Sequence, residues 1–481
     1  MRRGLWATLI LSNKRIYTRS NNRIFPFLPC VQLLKAYKLN RYLIYSNKFI
    51  NFDPHSYSNG RWLRQNRSQR AARHIEFDFD ALCQKVIDVS PGADTITNCK
   101  KLEGGFNRVF IFTLKNARQI VARLPFTLAG PAKLTTASEV AAIKYCSTSI
   151  PIPTILDWSN DVTNANNTVD SEYIIMEHAP GVQLHREWHE MMGDQRVRCI
   201  DAVYRKVKEL VDLRFPAFRS LYFANTPDFG GVRPLEYEFC IGPHCGTRYR
   251  DCNVGEQRYY HSVEPNRGPW SNIGEFCDGL INTGLSRLSP QMSTDHRIAE
   301  AAIPLMFHPD LHKGNIFVSE GDPAIIKGII DWQATISYTL SGPRLMDETL
   351  FWPLRYSYRT WKDGTVALRH DMIETARRWK ELGLAGQCPY SLPTPKDLAD
   401  HEKEYKLLEA AQVLRRDLAN LLNTASDGWV PPKEWEVTEL AHREIFTGML
   451  RAVVTNQEVD EDEPVKVEET LRSIWPFDIT K

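Results

Sequence analysis

The feature that most constrains this chain is a pair of apolar, strand-like runs with polar residues at set distances around them. Asp310 and Asn315 stand five positions apart, on a short loop that leads into the first run, residues 316–318. Asp331 follows the second run, residues 324–330, and is succeeded by a tryptophan. Phosphoryl transfer from ATP requires such a set: one Asp accepts or orients the proton of the acceptor hydroxyl, while an Asn and a second Asp hold Mg²⁺ on the phosphates.

In the kinase-type loop H-x-D-x-x-x-x-N, the carboxylate of Asp310 faces the acceptor hydroxyl, so Asp310 is the predicted catalytic residue. Asn315 and Asp331 are the predicted magnesium ligands, since Mg²⁺ prefers carboxylate and amide oxygens. Taken alone, each is equally typical of turns and helix caps. His308 is expected to bond the loop backbone rather than to act as a base. His312 either approaches the transferred phosphate or lies on the loop surface.

A strand-rich region precedes this loop. The predicted elements, in chain order, are strands at 96–102, 108–114 and 119–124, a helix at 137–146, a strand after 151–156 and a strand at 173–176. Gly104 and Gly105 lie in the turn between the first two strands, where the missing Cβ atoms let backbone N–H groups approach phosphate oxygens. With Asn107 they form the predicted phosphate-covering turn, although Gly-Gly turns are also common in ordinary hairpins. This order of elements is that of the small lobe of a kinase-like enzyme.

Arg123 ends the third strand, where protein kinases place a lysine that holds the α- and β-phosphates. Glu139, sixteen residues further on and within the helix, is its expected ion-pair partner. An arginine keeps the charge of lysine and adds bidentate bonding, but its reach differs. The alternative is an ordinary surface arginine and a solvated glutamate. The segment that begins at Met176 and includes His178 is predicted to form the hinge that reads adenine, mainly through backbone groups.

Charge divides the chain into two unequal parts. Residues 1–75 contain fifteen Lys or Arg and a single acidic residue, Asp53, whereas residues 76–481 contain 45 basic and 57 acidic residues. The acidic body argues against nucleic acid as its main partner. The leader, residues 1–75, has the composition of a mitochondrial transit peptide followed by a linker, which predicts a mitochondrial location and contact with the import machinery. A secretory signal fits less well because the apolar run 5–11 is short, and a disordered basic tail or a misassigned start is the remaining alternative.

No run of the sequence reaches about 18 apolar residues, so no membrane span is predicted. Ten cysteines are scattered over 481 residues, which is unlike a disulfide framework. Cys240, His244, Cys245 and Cys252 do cluster, but the paired C-x-x-C knuckle typical of zinc sites is missing. We therefore expect buried or surface thiols at these positions rather than metal ligands.

Beyond residue 180 helical patterns dominate. The predicted organisation is a small lobe at 76–180 and a larger helical lobe at 181–481, with the catalytic loop at 307–333. Residues 214–295 are rich in Gly, Pro and aromatic residues and are predicted to form an irregular insertion. Further helices are predicted near 196–213, 366–382, 397–423 and 433–455, and the charged stretch 456–470 is expected to be solvated.

Together these residues resemble the aminoglycoside phosphotransferase-like (choline-kinase-like) superfamily. That superfamily favours H-x-D-[LF]-H-x-G-N and a strand-borne I-D-W, which stand here at 308–315 and 330–332. Protein kinases would carry His-Arg-Asp and Asp-Phe-Gly instead, and their Ala-Pro-Glu segment is not found. Most of 75–475 is also similar to a fungal group named altered inheritance of mitochondria protein 9, through shared segments at 103–107, 121–123, 268–270 and 427–430. This likeness implies a mitochondrial location as well.

The predicted fold is therefore α+β and protein-kinase-like, with a small antiparallel-sheet lobe, a larger helical lobe and the ATP cleft between them. The leading hypothesis is phosphorylation of a small-molecule hydroxyl with ATP and Mg²⁺. The alternative is a catalytically silent, nucleotide-binding scaffold or regulator of the same fold, which the retention of every metal and base position disfavours. Phosphorylation of protein side chains is disfavoured by the missing Ala-Pro-Glu segment.

Overall fold

The structure is a computed structural model, and it describes residues 50–146, 150–213, 215–217, 219–225, 233–236, 238–246, 266–285, 306–308, 310–333, 336–337, 360–384, 386–455, 465 and 467–479. These residues belong to one compact unit. Residues 1–49 of the predicted leader lie outside the described residues, as do Cys252 and most of the charged stretch 456–470. Every strand pairing among the described residues is antiparallel.

Residues 50–75, which the sequence assigns to the leader, are folded. Residues 50–95 contribute β1 (Arg61–Trp62), α1 (Asn66–Ala71) and α2 (Phe79–Asp88). Within the predicted leader, Tyr57 and Trp62 are buried in the same core as the sheet that follows. The predicted boundary at residue 75 is therefore too late for the folded part. Composition misled the prediction because arginine and aromatic side chains stack here, with the Arg73 guanidinium 4.3 Å from the Trp62 ring centroid.

A five-stranded antiparallel sheet forms the small lobe. Its elements, with one helix, are β2 (Ile96–Glu103), β3 (Asn107–Leu114), β4 (Gln119–Pro125), α3 (Leu134–Cys146), β5 (Ile155–Ser159) and β6 (Tyr173–Glu177). The strands lie in the order β2-β3-β4-β6-β5. The strands and the helix predicted for this region are confirmed, with small shifts at their ends.

The two faces of this sheet have different surroundings. In β3, buried and half-buried residues alternate, because successive side chains point to opposite faces. Phe110 and Phe112 pack into the core with Phe79 of α2, so residues 50–95 cover one face. The other face carries Val121 and Arg123 of β4 and contributes to the site described below.

The described part of the insertion is more regular than predicted. After β7 (Val182–Gln183), α4 (Leu184–Glu187) and α5 (Gly193–Asp212) come β8 (Ser220–Phe223), β9 (Arg233–Glu236), β10 (Phe239–Gly242) and α6 (Ile273–Leu285). The strands β8, β10 and β9 form a sheet that packs against α3. The prediction of an irregular insertion is wrong for these segments, because four-residue strands are too short to show a clear period among Gly, Pro and aromatic residues.

Short strands carry the predicted catalytic loop. They are β11 (Met306–Phe307), β12 (Ile316–Val318), β13 (Ile326–Ile329) and β14 (Ile336–Ser337). β12 lies between β13 and β7, and β11 pairs with β14. The hairpin of β12 and β13 is the strand, turn and strand that the sequence predicts after Asn315.

The C-terminal part is mainly helical, with α7 (Thr360–Arg377), α8 (Pro395–Leu421), β15 (Trp429–Val430), α9 (Trp435–Thr455) and α10 (Glu468–Ile474). Thr394 caps α8 by accepting from the backbone N–H of Asp397, with a proline in the first turn. β15 pairs with β1, which joins the C-terminal part to the N-terminal segment. An antiparallel small lobe followed by a mainly helical part is the predicted α+β, protein-kinase-like arrangement. Among the described helices, none combines the length and apolarity that a membrane crossing requires.

Candidate active site

Strand pairing brings Asn315 and Asp331 to the same end of one hairpin. Ile316 of β12 stands opposite Ile329 of β13, and the N–H of Ile330 donates to the carbonyl of Asn315 (3.0 Å). Asn315 is therefore opposite the residue that precedes Asp331. Asp331 has a φ of 69°, a left-handed conformation that Asp tolerates better than most residues.

Asp310 lies on the loop that enters β12. The side-chain amide of Asn315 donates to the backbone carbonyl of Asp310 (3.0 Å), and its nitrogen lies 3.3 Å from Asp310 Oδ2. The Asn315 amide oxygen is thus the atom left to face a cation. The side chain of Asp310 is 62% exposed, which leaves its carboxylate accessible to a ligand. His312 is exposed on the same loop, with Nε2 3.5 Å from Asp310 Oδ2.

His308 bonds the loop backbone, as expected. Its Nε2 lies 3.0 Å from the carbonyl oxygen of Ile330, and its Nδ1 accepts from the N–H of Asp310 (3.3 Å). These contacts define a neutral ring with the proton on Nε2, which donates to Ile330. Burial lowers the pKa of His308 below its ordinary value, although the Ile330 carbonyl and the carboxylates of Asp331 and Asp310 act in the opposite direction. His308 thereby ties the Asp310 loop to the segment that carries Asp331.

Arg123 joins the small lobe to the Asp331 segment. Its Nη1 contacts the carboxylate of Glu139 on α3, and its Nη2 lies 2.8 Å from Asp331 Oδ1. The ion pair with Glu139 is thus present as predicted. Burial disfavours the charge of Arg123, but the two carboxylates outweigh it and raise the pKa of the guanidinium. Burial also raises the pKa of Glu139, to about 7. The charge of Arg123 lowers this pKa, but the nearby charge of Asp331 acts in the same direction as burial.

The glycine turn joins β2 to β3. The N–H of Gly104 donates to the carbonyl of Asn107 (3.0 Å), which closes the hairpin. A Cβ on Gly105 would meet nothing within 4 Å, and a Cβ on Gly104 would meet nothing nearer than 3.9 Å. Packing therefore does not require glycine at these two positions, and the space above them is open to a ligand. Arg108, which follows Asn107, is fully buried and pairs with the Glu103 carboxylate (2.7 Å).

The predicted hinge begins near the end of β6, the strand that pairs with β4. Met176 of β6 stands opposite Val121 of β4, and Arg123 projects from the same face as Val121 because residues two apart in a strand share a face. The His178 ring lies edge-on to Phe317 of β12, with centroids 6.1 Å apart. Phe317 is a residue that the sequence analysis did not single out, since one aromatic in a short apolar strand indicates nothing beyond burial.

Gln333 is the other residue that sequence reasoning missed. Its Oε1 accepts from Asn107 Nδ2 (2.6 Å) and from Arg123 Nη2 (2.7 Å). Its Nε2 donates to the carbonyl of Ala129 (3.2 Å). The only available signal was its position two residues after Asp331, and one glutamine after a short strand indicates no particular role.

The cysteine and histidine cluster has ordinary core contacts. Cys240 Sγ donates to the carbonyl of Phe223 (3.4 Å), and Cys245 Sγ lies 3.3 Å from the Ser220 hydroxyl. His244 Nδ1 accepts from the N–H of Gly246 (3.0 Å). Burial raises the pKa of both thiols. Cys240 and Cys245 are therefore buried thiols in the protonated state.

The oxygen atoms of Asn315 and Asp331 suit a magnesium ion. Mg²⁺ is commonly held by one or two carboxylates together with water and substrate phosphates, rather than by a complete protein cage. In the part of the chain that the structure describes, no group of three His, Cys, Asp or Glu side chains has metal-binding geometry. Asn315 and Asp331 thus offer two oxygen ligands of the kind that Mg²⁺ prefers.

Comparison with protein families matches residues 98–371 to APH, the phosphotransferase enzyme family. The matched residues include the glycine turn, Arg123, Glu139, Asp310, Asn315 and Asp331. A solved structure, the GDP complex of wild-type aminoglycoside 2'-phosphotransferase-IIIa, is 12% identical with a TM-score of 0.30, covering 69% of this chain and 92% of that chain.

Two curated fungal proteins are similar over shorter stretches. A subtelomeric hrmA-associated cluster protein of Aspergillus fumigatus is 35% identical over 176 residues, which are 35% of this chain and 32% of that protein. Altered inheritance of mitochondria protein 9, mitochondrial, of Yarrowia lipolytica is 22% identical over 329 residues, covering 58% of this chain and 55% of that protein. The chain thus spans about a third and about half of these two relatives.

The name of the Yarrowia protein agrees with the mitochondrial location that the basic leader predicts. The family match spans more than half of the chain and includes both walls of the candidate site. The chain therefore belongs to the APH phosphotransferase enzyme family.

Proposed function

We propose that this chain is an ATP- and Mg²⁺-dependent phosphotransferase that phosphorylates a hydroxyl group of a small molecule. The observation that carries the proposal is the β12–β13 hairpin, whose register sets Asn315 beside Asp331 while the Asn315 amide bonds Asp310. Phosphoryl transfer uses these three residue types around the transferred group. Membership of a phosphotransferase family supports the same reaction class.

Asp310 is the proposed catalytic residue. Its exposed carboxylate takes or orients the proton of the acceptor hydroxyl, and the bond from Asn315 holds the loop that presents it. Asn315 and Asp331 are the proposed magnesium ligands. When bound, the ion neutralises charge on the nucleotide phosphates. His308 keeps the Asp310 loop against the Asp331 segment and takes no proton from substrate in this scheme.

The proposed phosphate site is formed by the glycine turn and Arg123. Gly104 and Gly105 leave open space in which backbone N–H groups can meet phosphate oxygens. Arg123 carries a permanent positive charge, and Glu139 holds its guanidinium in place. Asn107 lies at the end of the same turn and adds a side-chain amide.

Adenine is proposed to bind along the hinge that contains Met176 and His178. Val121 pairs with Met176 across β4 and β6, and the His178 ring contacts Phe317 of β12, so apolar and aromatic side chains border the hinge. Aliphatic and aromatic side chains of this kind suit a planar base.

The chain is proposed to act in mitochondria. Residues 1–49 contain ten Lys or Arg and no acidic residue, which suits recognition by the import machinery. A relative named as mitochondrial supports the same location. We also propose the organisation of a small lobe up to residue 180 and a larger lobe at 181–481, with the small lobe extended to residue 50 by the N-terminal segment.

The test of the proposed reaction is Asp310→Asn. This variant is expected to bind Mg²⁺ and AMP-PNP like the wild type, since the carboxylate faces the acceptor, and to lose at least about 100-fold in turnover, as general-base catalysis contributes that much. Thermal shift measures binding, and an ATP-consumption screen over mitochondrial metabolites measures turnover. Asp322→Asn, in the turn between β12 and β13, is the matched control and should retain full activity.

The rival function, a catalytically silent scaffold, makes a different prediction in the same experiment. A scaffold would be stabilised by ATP with Mg²⁺ but would consume no ATP with any metabolite in the screen. Equal turnover by Asp310→Asn and wild type would refute the proposed mechanism. Radiolabel transfer to proteins of a mitochondrial extract tests the third function, phosphorylation of protein side chains.

A further inference from the structure

Gln333 connects parts of the site that come from three regions of the sequence. Its Oε1 accepts two hydrogen bonds, from Asn107 in the glycine turn (2.6 Å) and from Arg123 on β4 (2.7 Å). Its Nε2 donates to the carbonyl of Ala129, in the segment before α3 (3.2 Å). Both polar atoms of the amide are therefore used, which defines the orientation of the side chain.

The bond to Asn107 connects the glycine turn to the opposite wall of the site. Asn107 belongs to the turn that would cover the phosphates, whereas Gln333 follows Asp331 on the opposite wall. Arg123 Nη2 is shared between Gln333 and Asp331 Oδ1 (2.7 and 2.8 Å). The turn, the guanidinium and the proposed metal ligand thus form one hydrogen-bonded unit, and Gln333 is the member that contacts the turn.

The chemistry of this position favours glutamine over related residues. Glutamate would add a third carboxylate to the pair already present, Glu139 and Asp331, beside the place proposed for anionic phosphates. Asparagine is one methylene shorter and would not span the same distances. A neutral amide of this length holds two donors without adding charge, which is what a support for a phosphate site requires.

We propose that Gln333 is a positioning residue that sets the height of the glycine turn over the nucleotide phosphates. The inference rests on the proposed function, because it assigns a role within that nucleotide site. Gln333 acts through Asn107 and Arg123 and does not contact the reacting atoms. It should therefore affect the binding of phosphates and not the binding of the base.

The experiment compares Gln333→Met with the wild type in two binding measurements. Methionine keeps the length of the side chain and removes the strong acceptor. The Kd for AMP-PNP with Mg²⁺ is expected to rise about tenfold, as for loss of a hydrogen bond to a charged group. The Kd for adenosine, which has no phosphate, is expected to stay the same. Gln84→Met is the matched control, because Gln84 is exposed on α2 and bonds Asp88 there.

A second variant keeps the inference testable if Gln333→Met does not fold. Asn107→Ala removes the donor on the turn and should show the same selective loss for AMP-PNP. In the double variant, the two losses should combine to less than their product, because both changes break the same hydrogen bond.

The outcomes separate this inference from the proposed function. If the wild type binds neither AMP-PNP nor adenosine, the proposed function fails, and the role of Gln333 fails with it. If the wild type binds both and Gln333→Met changes neither Kd, the function stands and the role of Gln333 is wrong. An equal loss for both ligands would show that Gln333 merely supports the fold, which also overturns the inference.

Discussion

Single side chains determine which charges meet in this site. Arg123 contacts Glu139 from α3 and Asp331 from the end of β13, so one guanidinium serves two carboxylates. The contact with Glu139 follows from a strand-to-helix spacing that protein kinases share, and the sequence predicted it. The contact with Asp331 joins residues 208 positions apart, and no local pattern relates such positions.

The protonation state of His308 predicts an effect of pH on stability. Burial lowers the pKa of His308 in the folded protein, whereas the unfolded value is about 6.5. The unfolded state therefore binds the proton more readily, so the contribution of His308 is present above about pH 6.5 and is lost as pH falls through the folded pKa. One such group changes the free energy of unfolding by at most about 1.4 kcal/mol per pH unit.

Denaturant unfolding at pH 7.5 and 5.5 measures this effect. His308→Gln should lose less stability than the wild type between the two pH values, because glutamine does not titrate. Asn420→Gln on α8, which exchanges one neutral amide for another far from this loop, serves as control and should behave like the wild type. An unchanged pH dependence in His308→Gln would contradict a neutral His308 in the folded protein.

At the scale of elements, two hairpins supply the two walls of the site. The β12–β13 hairpin places Asn315 and Asp331, and the β2–β3 hairpin places the glycine turn. Both were predictable, because apolar strands with short polar turns are local features of sequence. Their mutual position was not, since it depends on bonds such as that between Asn107 and Gln333.

The open space over the glycine turn leads to a further prediction. Gly105→Ala should change the free energy of unfolding by no more than about 0.5 kcal/mol, because the new methyl group meets nothing within 4 Å. The same methyl group should hinder phosphate oxygens that approach the turn and raise the Kd for AMP-PNP with Mg²⁺ about tenfold. Thermal unfolding and calorimetric titration measure the two quantities.

Gly321→Ala is the matched control for this prediction. A methyl group added at Gly321 would also meet nothing within 4 Å, but this glycine lies in the turn between β12 and β13, away from the proposed phosphates. The change should alter neither quantity. An unchanged Kd in Gly105→Ala would show that the turn does not cover the phosphates. A loss of stability would show instead that the fold requires glycine at this position.

At the scale of the whole molecule, the N-terminal segment links the small lobe to the C-terminal part. Ser58 donates its backbone N–H to the Glu103 carboxylate at the base of the glycine turn (2.8 Å). A few residues later, the Trp62 indole donates to Asp427 (2.9 Å), and β1 pairs with β15. The base of the turn is thereby connected to residues more than 300 positions away.

Asp427→Ala tests the strength of this connection. The change leaves the N–H of the buried Trp62 indole without its acceptor, which should lower the free energy of unfolding by about 1–3 kcal/mol. Chemical denaturation measures the change. Asp417→Ala on α8 removes an exposed carboxylate that bonds the neighbouring Arg416 and should cost less than about 0.5 kcal/mol. Equal effects of the two variants would mean that the Trp62–Asp427 bond contributes little.

By itself the sequence determined the strands of the small lobe, the β12–β13 hairpin and the residue types at the candidate site. These follow from alternation, turn chemistry and motif spacing, which act over a few residues. Only the tertiary structure showed that residues 50–75 are folded, that Arg123 reaches Asp331 and that Gln333 bonds the glycine turn. Such contacts join distant positions through the packing of the whole core, and a single hydrogen bond between them leaves no period in the sequence.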